Sequence, residues 1–207
     1  VFLFNHAILR YIGEQGIVSY TIIAYVNTIV VMSMVGIAQG IQPLISFYYG
    51  KGQRAACSRL LRYAVTTAVG MAGAAFLGSM AGADGMVSLF ISENLESLRV
   101  YSAAVFRIFS ISFLVLGFNI VGAGYFTAIE RPKESLVISL GRGMVIMAAA
   151  LAGCIALAGG KGIWWAPTVS ETVCLGITLI LVCRHIRCET ATADVPHGAV
   201  TPVMDES

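Results

Sequence analysis

Three ionisable side chains, Arg107, Arg142 and Glu171, stand inside otherwise apolar stretches of the chain. Placing such a charge at the centre of a bilayer costs about 2.5–3.5 kcal/mol on insertion scales, so each needs a partner, a wet cavity or a function. A carboxylate such as Glu171 can take up a proton or a metal cation and couple that uptake to the movement of something else. Alternatively it neutralises Arg142 or Arg107 and fixes one helix against another, the reading to which the cost of burying charge gives more weight. A second set is made of amides: Gln39, Gln42 and Asn119, with Asn5 and Asn27 behind them. Amides donate and accept without carrying charge, which suits a loose cavity that accepts varied ligands. The competing role is interhelical glue worth about 1 kcal/mol per bond, and it weighs more on the asparagines than on the glutamines.

Other chemistries find no support. His6, His185 and His197 are scattered, and no paired carboxylates accompany them. The five cysteines, Cys57, Cys154, Cys174, Cys183 and Cys188, lack metal-ligand spacing and read as small reduced thiols. Gly122-Ala123-Gly124 lacks the strand and turn that a phosphate loop needs. No enzyme, no metal site and no cofactor are expected beyond a coupling ion, H+ or Na+, and no patch for nucleic acid is visible.

The elements that must position these residues are membrane helices. The chain is 57% hydrophobic and 12% charged, which excludes an ordinary soluble domain. Six spans are expected, over about 1–9, 17–49, 63–83, 100–128, 136–158 and 163–183. The first reaches Arg10 after nine residues, about 14 Å of a roughly 30 Å core, and so reads as the tail of a helix in a partial chain. Residues 84–98 read as an outer loop with an interfacial piece. Trp164, Trp165, Tyr48, Tyr49 and Tyr125 read as interface anchors. On this division Glu171 lies about 12 Å into the last span and Arg142 about 9 Å into the fifth.

Basic residues set the orientation. Lys51, Arg54, Arg59, Arg62, Arg131, Lys133, Arg184 and Arg187 fall on one side, against Arg10, Arg99 and Lys161 on the other. The richer side is cytoplasmic by the positive-inside rule, and so is a polar tail over 189–207 expected to be disordered. The lobe proper is then 1–188.

Within the second span, Gly36 and Gly40 share a face that would admit a neighbouring backbone, and Gly70, Ala74 and Gly78 do the same in the third. Pro43 should bend or loosen the second helix near its inner end. The string Gly36-Ile-Ala-Gln-Gly-Ile-Gln-Pro-Leu-Ile-Ser46, continued by Phe47-Tyr-Tyr-Gly-Lys-Gly52, closely resembles the second-helix motif of each lobe of multidrug and toxic compound extrusion (MATE) transporters. Gly162-Ile-Trp-Trp-Ala-Pro-Thr-Val-Ser-Glu171 is similar to that family's last-helix pattern. Ser139-Leu-Gly-Arg142 is similar to its fifth-helix arginine motif, although a proline usual a few residues later is absent. Tyr125-Phe-Thr-Ala128 before a charged turn is similar to the end of its fourth helix.

The resemblance implies an all-α integral membrane lobe, the C-terminal of two, that faces an N-terminal lobe across a cavity. It implies multidrug efflux by H+ or Na+ antiport, with a small organic, cationic substrate and the cell membrane as its location. In family members where this lobe couples to ions, acidic residues occur on its first and fourth helices. The fourth span here has none before Glu130, which leaves the coupling ion and its site open. A flippase for lipid-linked precursors, of the same superfamily, is the alternative, with Arg107 and Arg142 its only hint of a cationic cavity. A non-transporting subunit or gene remnant is the other.

Overall fold

A computed structural model describes residues 2–193. Among them every regular element is helical. The order is α1 (Phe2–Tyr11), α2 (Glu14–Gly50), α3 (Arg54–Phe90), α4 (Glu96–Ser110), α5 (Phe113–Ala128), α6 (Pro132–Leu140), α7 (Ile146–Ala158) and α8 (Ala166–Ala193). Paired as α4 with α5 and α6 with α7, they give the six segments expected. α8 continues to Ala193, so 189–193 of the expected tail are helical, and 194–207 lie outside the described residues.

Length and composition make this a membrane bundle. Helices α2 and α3 have 37 residues each, about 55 Å, and both outreach a hydrocarbon core of about 30 Å. Their most apolar windows are only 28% and 22% buried within the chain, so most of the apolar surface is turned outward, as in a protein solvated by lipid. The run Pro132–Arg187 is equally apolar. It folds back on itself at a short tight helical turn, Gly159–Trp165, which brings Gly162 against the backbone carbonyl of Cys154.

The core lies where α2, α3 and α5 meet. Ala64, Ala68 and Ala72, four apart on α3, form the packing face, and Ala38 on α2 does the same for α5. A Cβ on Gly117 would meet Met34 at 2.9 Å and Ala68 at 3.3 Å; one on Gly124 would meet Ala38 at 3.0 Å. These contacts correct the expected small-residue faces. Gly36, Gly40, Gly70, Ala74 and Gly78 are exposed, and a Cβ on any of the four glycines would meet nothing within 4 Å. Their faces are turned out of this lobe.

α2 continues as a helix through Pro43, which is exposed. The fourth span bends by 41° between α4 and α5. Ser110 and Ser112 each donate to the carbonyl three residues back, Arg107 O and Phe109 O, both at 2.8 Å, competing locally with the helix ladder. The fifth span carries one wide helical turn over Gly141–Val145, a π-type insertion between α6 and α7. Residues expected as outer loop, 84–90, belong to α3, which puts Asp84 on a helix. Trp164 and Tyr125 are buried at 2% and 1% exposure and pack inside the bundle rather than at an interface. Trp164 Nε1 donates to Tyr101 Oη at 3.0 Å.

Candidate functional site

The wide turn in the fifth span carries Arg142, and it faces α8. There Arg142 Nη1 donates to Glu171 Oε1 at 3.3 Å. Asn119, fully buried on α5, donates from Nδ2 to Glu171 Oε2 at 2.8 Å and to the Glu171 backbone carbonyl at 3.0 Å. Thr178, seven residues beyond Glu171 and therefore on the same face of α8, donates its hydroxyl to Asn119 Oδ1 at 3.0 Å, sharing it with the Cys174 carbonyl. The result is a chain of polar contacts across three helices, Arg142 to Glu171 to Asn119 to Thr178. Both carboxylate oxygens and the amide oxygen have donors, which removes most of the cost of burying them.

Two cavities meet at this network. The first, about 340 Å³, is lined by Asn27 and Tyr20 from α2, Phe109 and Ser112 at the α4–α5 bend, and Arg142 with Glu171. The second, about 360 Å³, is lined by Gln39 and Gln42 from α2, Asn119 from α5, and Ser135, Ser139 and Arg142. Arg142 lines both and so forms part of the wall between them.

A family profile, MatE, matches residues 1–159. The chain belongs to the MatE family. Solved MATE transporters carry the same fold. An outward-facing multidrug resistance MATE family transporter of the MOP superfamily superposes with a TM-score of 0.84 at 16% identity, over 92% of this chain and 43% of that one. The inward-facing conformation of such a transporter gives 0.86 at 17% identity, over 93% and 44%. A MATE in complex with MaL6 gives 0.83 at 18% identity, over 92% and 43%. The chain thus spans less than half the length of these transporters. No curated protein matches significantly.

Within this MatE lobe the amides separate by place. Gln39 is exposed, Gln42 is half-buried, and both line the second cavity; Asn27 is half-buried and lines the first. Asn119 borders the second cavity, but its Nδ2 and Oδ1 are committed to Glu171 and Thr178. Asn5 lines neither of these two cavities, and its Oδ1 is buried without a hydrogen-bond partner.

The arginines separate as well. Arg107, half-exposed on α4, pairs with Asp84 at 2.8 Å and does not join Glu171. Sequence reasoning left Glu171 with two alternative partners and overlooked Thr178, Ser112 and Asp84. The seven-residue spacing from Glu171 to Thr178 could have found the first, and the Ser110-Ile-Ser112 pair could have found the bend.

Proposed function

We propose that this chain is the C-terminal lobe of a multidrug exporter that expels small organic cations in exchange for H+ or Na+ by alternating access, from the cell membrane, with its C-terminus cytoplasmic. The observation that carries this reading is Glu171. It is 8% exposed, borders a cavity, and is held by a cation and an amide that come from two other helices.

The pair can act as an exchanger of charge. While Glu171 is ionised, Arg142 is neutralised and the first cavity, lined by Tyr20, Phe109 and Asn27, admits an organic cation. Uptake of a proton or Na+ by Glu171 weakens its hold on Arg142. The freed guanidinium then repels a bound cation from a cavity of low dielectric, where charge interactions are strong. One carboxylate therefore answers to the driving ion and, through Arg142, to the substrate. Gln39, Gln42 and Asn27 supply hydrogen bonds that accept varied ligands without fixed charge. Asn119 keeps the carboxylate aimed.

Alternating access requires a facing lobe, as in other repeat-built transporters. The exposed face of α2 with Gly36 and Gly40, which packs against nothing here, is available to it. The flippase reading loses one of its two supports, because Arg107 is occupied by Asp84.

The test is ethidium efflux from cells lacking their own exporters. Expression of the chain together with an N-terminal MATE lobe should give efflux that collapses when the ion gradient is removed, and the chain alone should give none. Well-inserted two-lobe protein without gradient-dependent efflux of any organic cation would sink the proposal.

A further inference from the structure

The side chains that meet the Glu171 carboxylate are hydrogen-bond donors. Arg142 Nη1 reaches Oε1 at 3.3 Å, and Asn119 Nδ2 reaches Oε2 at 2.8 Å and the Glu171 backbone carbonyl at 3.0 Å. A guanidinium has no lone pair to offer a metal, and neither does the NH2 end of an amide. Thr178 holds the amide this way round by donating to Asn119 Oδ1 at 3.0 Å, and turning it would set Oδ1 against two other oxygens. Hard cations are held in the opposite manner, by several converging oxygen lone pairs, which transporters often take from unwound backbone. The α4–α5 bend that borders this cavity has its carbonyls engaged. Arg107 O accepts from Ser110 Oγ, Ile108 O from Ile111 N–H, and Phe109 O from both Ser112 Oγ and Ser112 N–H. Ser170, whose buried Oγ has no hydrogen-bond partner, lines the same cavity with Asn27 and Tyr20, and all three are neutral. A Na+ among them would share one carboxylate with the Arg142 guanidinium, two cations drawn to a single charge.

We infer that the ion exchanged at Glu171 is H+ and that the site is closed to Na+, because N–H donors stand where a metal needs oxygen ligands. The inference rests on the transport reading above and chooses between its two ions. A proton needs no cage: it takes one lone pair, and each carboxylate oxygen accepts from one side chain with a second lone pair left over. An O–H bond forms on Glu171, the carboxyl becomes neutral, and Arg142 keeps its charge without a counter-ion. Other titratable groups around the site are few. Tyr20 of α2 lines the cavity, the Cys174 thiol of α8 donates to Ile138 O at 3.7 Å, and Arg107 of α4 is paired with Asp84. α1, α5 and α7 present Phe4, Leu116 and Met147 to the cavity, none of them ionisable.

The experiment uses the purified two-lobe transporter that contains this chain. In liposomes, a proton gradient in Na+-free buffer should drive ethidium transport, and a Na+ gradient at equal pH on both sides should not. In detergent and weak buffer, ethidium binding should release protons, and Glu171→Gln should abolish that release. Binding of radioactive Na+ should be the same in wild type and Glu171→Gln. Asn119→Asp, which exchanges the amide donor for a second carboxylate, should bind Na+ that wild type does not. Transport driven by the Na+ gradient, or Na+ binding that Glu171→Gln abolishes, would overturn the choice of the proton and leave the transport reading standing. Transport under neither gradient would overturn the transport reading itself. A folded Asn119→Asp protein that gains no Na+ would overturn the argument from donors.

Discussion

Two of the ion pairs in this lobe, Arg107–Asp84 and Arg142–Glu171, are made of the same chemistry and do different work. Arg107 and Asp84 approach to 2.8 Å, but their side chains are 38% and 73% exposed; Arg142 and Glu171 are farther apart, 3.3 Å, with side chains 25% and 11% exposed. The shorter contact is the weaker one. Solvent screens the first pair, whereas the second has exchanged its solvation for Asn119, and its charges have nowhere to go if a partner is removed. Arg107 also keeps only a marginal bond to Met80 O at 3.5 Å, while Glu171 has a donor on each oxygen. A charge that is expensive to strand is one whose neutralisation can drive a change of state.

The largest expected effect sharpens that contrast. Glu171→Ala strands Arg142 beside a cavity and should cost about 3–5 kcal/mol of stability, read as a lowered unfolding midpoint in detergent. The double change Glu171→Leu with Arg142→Met should recover most of the loss. If the single variant unfolds at the wild-type midpoint, the burial argument fails. Asn119→Ala should cost about 1–3 kcal/mol, because it leaves Glu171 Oε2 without its donor and leaves Thr178 only the Cys174 carbonyl as acceptor.

Gly122 lies against the same network. A Cβ there would stand 2.5 Å from Thr178 Cγ2, so Gly122→Ala must displace Thr178 and should also cost about 1–3 kcal/mol. Its effect should shrink in a Thr178→Ala background, and strict additivity would show that the two do not interact. The smallest effect belongs to the exposed pair. Asp84→Asn should change stability by no more than about 1 kcal/mol, and less at high salt; a larger loss would erase the distinction between the pairs.

What could be seen in the sequence follows from which interactions are local. Charge-free runs mark spans because lipid imposes length and apolarity residue by residue, so the second span, expected at 17–49, is close to the observed Glu14–Gly50. Glu171 and Arg142 stand out for the same reason, since each violates that rule. Which arginine meets Glu171 depends on how α4, the Gly141–Val145 turn and α8 pack, and no spacing along the chain contains that.

Small residues mislead in the same way. Gly36 and Gly40 satisfy a packing motif, yet the packing face within this lobe is the alanine row Ala64, Ala68 and Ala72, because a motif states that a close approach is possible and not which neighbour makes it. Breaks that no proline marks sit at Ser110-Ile-Ser112 and at Gly141–Val145. Side chains that bond back to the backbone, and glycines that tolerate a wide turn, produce them instead.

The measurement closest to the central claim is ethidium efflux by a complete two-lobe transporter carrying Glu171→Gln, compared with wild type before and after the ion gradient is collapsed. Glutamine keeps the size and one accepting oxygen, enough for Arg142 or Asn119 but not both; the variant should still insert, as a folding check on purified protein would show, while its efflux should lose its dependence on the gradient. Efflux at the wild-type rate that still vanishes with the gradient would contradict the account and return the Arg142–Glu171 pair to a purely structural part.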